Sequence, residues 1–70
     1  MPFNIKARVV ALGRYQNELI PELKKRDIIT EPGQLCNVLK GRMTGDKADR
    51  ILSAANEIVT EWERECRKTS

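Results

Sequence analysis

Apolar residues recur at three-and-four spacing along the last third of the chain: Ala48, Ile51, Leu52, Ala55, Ile58, Val59, Trp62 and Cys66. Such spacing gathers side chains on one face of a helix. Residues 46–66 therefore read as one amphipathic helix of about 20 residues, roughly 30 Å long. Thr44 or Asp46 can cap its start.

Three shorter helices precede it. Ile5, Val9 and Leu12 predict a first helix over about 4–12, capped by Asn4 and stopped by Gly13, because glycine enters the left-handed region without steric cost. Leu19, Ile20 and Leu23 give a second helix over 15–26 its inward face, with acids early and bases late as the helix dipole favours. Pro21 constrains that helix, since a proline in the interior removes a hydrogen bond and clashes with the preceding turn. Either the helix starts late, with Pro21 in its first turn, or it kinks there. Asp27-Ile28-Ile29-Thr30 reads as an extended, inward-facing connector. Glu31-Pro32 opens a third helix over about 32–40, with Gln34 placed to reach back to the cap. Leu35, Val38 and Leu39 form its buried stripe, and Gly41 ends it.

The pattern predicts an all-α fold: one compact four-helix domain over residues 1–70 with a long last helix. The first three helices are each about half as long as the last, or little more. Its apolar stripe is therefore expected to outrun them. The surplus, centred on Ile58, Val59 and Trp62, reads as the interface of a homodimer.

Composition narrows the chemistry. The chain has no histidine, which removes the commonest general base and the commonest metal ligand. Its two cysteines, Cys36 and Cys66, are too far apart in sequence for a C-x-x-C pair. Cys36 reads as a small core residue beside Leu35 and Leu39, and Cys66 as inert. No glycine-rich phosphate loop occurs, and a chain this short leaves little room for a pocket. The expectation is a protein that is not an enzyme, with no cofactor, no metal and no small-molecule substrate. Three aromatic residues are too few for a platform that stacks single-stranded bases. No apolar run reaches signal-peptide or membrane-spanning length, so a reduced, cytoplasmic protein without a membrane partner is expected.

Charge is uneven along the chain. Residues 1–42 hold eight bases against four acids, a net +4, and residues 43–70 hold five bases against six acids, a net −1. A basic front and a locally acidic back imply that one half meets a polyanion and the other meets protein. The plainer reading is a soluble surface that happens to be basic.

Two helices around a connection, flanked by a helix on either side, form the helix-turn-helix plan. Tyr15-Gln16-Asn17-Glu18-Leu19 resembles the T-Q-x-x-L opening of helix 2 in the lambda-repressor/Cro-like family. Glu31-Pro32-Gly33-Gln34-Leu35-Cys36-Asn37-Val38-Leu39-Lys40-Gly41 resembles the recognition helix of that family. The resemblance implies that Gln16 binds a backbone phosphate, that Gln34 and Asn37 face the major groove, and that Lys40 and Arg42 contact phosphate. Both amides can pair bidentately with adenine. Pro32 and Gly33 stand where the family carries base-reading side chains, and Glu31 adds a negative charge nearby. Outside this layout, Gln16, Gln34 and Asn37 are ordinary polar residues and Lys24-Lys25-Arg26 a solvated helix end. The expected function is a double-stranded-DNA-binding transcriptional regulator of phage or mobile-element type, acting as a homodimer. The alternative is a helical module that has lost base readout and binds a protein through Ile58, Val59 and Trp62.

Overall fold

The first three helices end by the same device. In the computed structural model, which describes residues 5–69 and the side chains of residues 5–66, α1 spans Ile5–Ala11, α2 Leu19–Lys25 and α3 Pro32–Leu39. Two positions past each helix stands a residue of positive φ: Gly13 at 72°, Asp27 at 62° and Gly41 at 79°. The N–H of that residue and of the next one fold back onto carbonyls of the last turn. Gly13 and Arg14 donate to Val10 and Val9, Asp27 and Ile28 to Lys24 and Leu23, Gly41 and Arg42 to Val38 and Asn37, all at 2.9–3.2 Å. These paired bonds satisfy carbonyls that the helix end would otherwise leave open. Asp27 fills this role without being glycine, as Asp and Asn can at single positions. The expected cap Asn4 lies outside the described residues.

Pro21 is accommodated by a late start. A single 3-10 turn over Gln16–Glu18 precedes α2, which makes Pro21 the third residue of the α-helix. The first-turn N–H groups of a helix have no intrahelical partner, so the missing donor costs nothing there. The turn itself is closed by the Tyr15 N–H, which donates to Glu18 Oε2 at 2.8 Å. The fourth helix, α4, spans Asp46–Thr69, three residues beyond the end expected from the apolar spacing. Neither Thr44 nor Asp46 precedes it as a cap: Asp46 is its first residue. Gly45, at φ 115°, supplies the carbonyl that accepts from the Asp49 N–H.

Each of α1, α2 and α3 packs on α4, making an all-helical fold with α4 as its spine. The Cα radius of gyration, 11.6 Å, is near the roughly 11 Å expected of a compact chain this long. The core is built from Ile5 and Val9, Leu19 and Leu23, Leu35 and Val38, all closing on the α4 stripe.

That stripe has no surplus. Ile58, Val59 and Trp62 are only 2%, 0% and 9% exposed within a single chain, so they are core residues and not a dimer surface. Helix lengths alone mislead because α1 lies over the C-terminal half of α4. The corner that follows α1 extends the cover, with Leu12 packed on the core and the Arg14 guanidinium 4.3 Å from the Trp62 ring centroid.

The connector faces inward as expected at Ile28 and Thr30 but not at Ile29. Ile28 is half-buried and Thr30 buried, which leaves Ile29 facing out at 74% exposure. Alternation in an extended segment places residues 28 and 30 on one face and 29 on the other. Among the described residues, Thr30 Oγ1 is buried without a hydrogen-bond partner. An unpaired buried hydroxyl costs about 1–3 kcal/mol, so Thr30→Val, which keeps the shape and removes the hydroxyl, should raise the thermal midpoint. A lowered midpoint would mean that the hydroxyl has a partner in solution.

Candidate nucleic-acid interface

α3 begins where Pro32, with its fixed φ and missing donor, suits the first helical position. Glu31 ahead of it is extended, at φ −87° and ψ 155°, and makes no side-chain cap bond. The Leu35 N–H closes the first turn on the Glu31 carbonyl at 2.9 Å. Gln34 does not reach back to the cap, and its amide makes no hydrogen bond among the described residues.

Helical geometry sorts the remaining side chains. Leu35 and Val38 are fully buried and Leu39 half-buried, which defines the inward face. Gln34, Asn37 and Lys40 follow each other at intervals of three, so they form one stripe centred opposite that face. Asn37 and Lys40 are exposed and Gln34 half-buried. Arg42, also exposed, stands just past the helix end, beyond Gly41. Three of the five expected contact residues therefore lie along one edge of α3, with Arg42 just past its end. The fifth, Gln16, is half-buried in the 3-10 turn, which packs chiefly on α1 and α2, whereas α3 packs chiefly on α4. Cys36 sits between the two faces and is half-buried, not the core residue expected. Gly33 and Pro32 are exposed at the start of the helix and offer no polar side chain.

The charge split between front and back changes meaning in three dimensions. Arg8 of α1 reaches across to α4, where its Nε and one terminal nitrogen donate to the two oxygens of Glu63 at 3.2 and 2.6 Å. Its guanidinium also donates to Asn56 Oδ1 at 2.6 Å and Thr60 Oγ1 at 3.1 Å. The hydrogen bond to Glu63 holds the Arg8 pKa above its ordinary value, against the opposing effect of burial. Arg26 pairs with Glu57 and Glu61 of the same helix. Arg14 pairs with Glu18, and Lys25 with Glu22. Three acids of α4, Glu57, Glu61 and Glu63, thus bind bases of the front half within the chain. Four of the eight front bases, Lys6, Lys24, Lys40 and Arg42, have no ion pair among the described residues. Two of these four stand at the exit of α3.

Among the described residues, no cluster of His, Cys, Asp or Glu could hold a metal ion, and no helix is long and apolar enough to cross a membrane. Comparison with protein-family models, curated proteins and solved structures found no match to this chain.

Proposed function

We propose that the chain is a double-stranded-DNA-binding transcriptional regulator of the kind found in phages and mobile elements, acting as a dimer. The observation that carries this reading is the stripe of α3. Two amides, Gln34 and Asn37, and the cation Lys40 share the edge of a short helix whose opposite face is buried on α4, and a second cation, Arg42, is exposed just past its end. Amides read base edges and cations hold phosphates, so one helix supplies both classes of contact. Gln16 adds a phosphate contact from the turn that opens α2. Pro32 and Gly33 leave the first turn of α3 without base-reading groups, so few positions per half-site are strongly specified and DNA shape contributes to the preference. The alternative, a module binding protein through Ile58, Val59 and Trp62, loses its contact surface because those residues lie in the core.

The test is a titration against random and selected duplexes at several salt concentrations. Lys40→Ala or Arg42→Ala should weaken binding to every sequence and lower the salt slope by about one each, because each phosphate contact releases counterions. Asn37→Ala or Gln34→Ala should cost roughly 1–3 kcal/mol on the selected site only. Absence of salt-dependent duplex binding at low ionic strength would end this reading.

A further inference from the structure

With Ile58, Val59 and Trp62 buried, a dimer needs another surface. Three large apolar side chains are exposed among the described residues: Val10, Tyr15 and Ile29. Of these, Ile29 lines a groove whose walls carry charges of both signs. The groove holds about 400 Å³ between the connector after α2 and the first turns of α4. Asp27, Ile28 and Ile29 form one wall, and Asp46, Lys47 and Arg50 the other. Lys47 and Arg50 are three residues apart and so share a face of α4. None of the four charged groups has an ion pair among the described residues, whereas Arg8, Arg14, Lys25 and Arg26 all do.

We infer that this groove is the contact surface for a second copy of the chain. The inference deepens the dimeric part of the function proposed above and is tested without DNA. A two-fold contact sets one patch against itself, so the patch must complement itself. A surface of one sign cannot do this. Here a two-fold axis running along the groove sets the connector wall of each copy against the α4 wall of the other. Asp27 then meets Lys47 and Arg50 of the second copy, twice over, with Ile28 and Ile29 enclosed between. An apolar centre within a charged rim is the usual anatomy of a protein contact. The acids also disfavour a phosphate backbone as occupant, since Asp27 and Asp46 would repel it. A full-strength interface covers about 800 Å² per partner, near a sixth of the 4902 Å² surface of this chain. Six residues cover less, so the dimer is weak and concentration-dependent.

The experiment is sedimentation equilibrium of the full chain up to millimolar concentration, at low and high salt. The native chain should self-associate, more weakly as salt rises. Ile29→Asp should weaken association by at least about tenfold. One charge variant, Asp27→Lys, and another, Lys47→Glu with Arg50→Glu, should each lose self-association, because like charges then face each other. Mixed in equal amounts, the two should associate with each other, since position 27 of each copy again faces charges of opposite sign at positions 47 and 50 of the other. Thermal melting of each variant separates lost association from lost folding, and Ile29→Asp stands in should Asp27→Lys not fold. A native chain monomeric at millimolar concentration overturns the inference. So does a mixture that fails to associate. If the doubly reversed variant self-associates normally but binds duplex DNA less tightly, the groove is a phosphate contact and not a dimer face. A native chain that self-associates as expected but shows no salt-dependent duplex binding would count against the regulator reading and leave the groove assignment standing.

Discussion

Replacing Val59 by aspartate is expected to unfold the chain at room temperature. Val59 has no exposed surface, and it lies on the α4 stripe where α1 closes over the core. The substitution forfeits about 1.5–3 kcal/mol of apolar burial. It also places a carboxylate where no cation waits, at a further cost of several kcal/mol even if the group takes up a proton. A core this small rarely supplies more than about 3–5 kcal/mol in all. The sum exceeds what the fold has. Far-ultraviolet circular dichroism should show the loss of helix directly. A folded, soluble monomer would be the outcome if Val59 were an interface residue, so the two assignments give opposite spectra. Trp62→Glu should be milder, because Trp62 keeps 9% of its surface and lies beneath Arg14 at the edge of the core.

The helices were legible in the sequence because each rests on local physics. Apolar spacing, Gly13 and Gly41 as stops, and Pro32 as a start all act within one or two turns. Pro21 left two options open, and the 3-10 turn over Gln16–Glu18 selects the late start. What the sequence concealed depends on tertiary placement. The cover over Ile58, Val59 and Trp62 comes from the corner at Leu12–Arg14, distant in sequence. Cys36 is off the core because it falls between the two faces of α3. Ile29 faces out because its neighbours Ile28 and Thr30 take the inward side, a choice that adjoining isoleucines do not signal. Among the candidate contact residues, spacing alone puts Gln34, Asn37 and Lys40 on one stripe, while the relation of Gln16 to them depends on how the helices pack. Asp27 at positive φ had a weak signal, since Asp is one of the few residues that tolerates that region.

The placement of α4 gives the charge pattern its purpose. Acids on the exposed edge of a long helix could face solvent or a partner; here Glu57, Glu61 and Glu63 face Arg26 and Arg8. The front bases without an ion pair among the described residues are Lys6, Lys24, Lys40 and Arg42, and the last two stand at the exit of the helix proposed to meet DNA. If the proposed function holds, folding and DNA binding use different members of the same set of bases, and substitutions should separate the two.

Arg8→Ala is the substitution that tests this separation from the folding side. It removes both bonds to Glu63 and the bonds to Asn56 and Thr60. The pair is partly exposed, with side-chain exposures of 26% for Arg8 and 34% for Glu63. Its worth therefore lies above that of a surface ion pair and below that of a buried one. A loss of about 2 kcal/mol is expected, which for a domain this size lowers the thermal midpoint by roughly 8–16 °C. Arg8→Lys should recover only part of it, because an ammonium cannot match the planar fork that spans both carboxylate oxygens. Glu63→Gln should cost less than Arg8→Ala, since the amide oxygen still accepts one bond. The double substitution should cost less than the two single losses added together, as for groups in direct contact. Below the melting range, the salt slope of duplex binding should be unchanged by Arg8→Ala, in contrast to Lys40→Ala. Additive losses would show that Arg8 and Glu63 act separately, and a reduced salt slope would move Arg8 from the scaffold to the DNA-facing set.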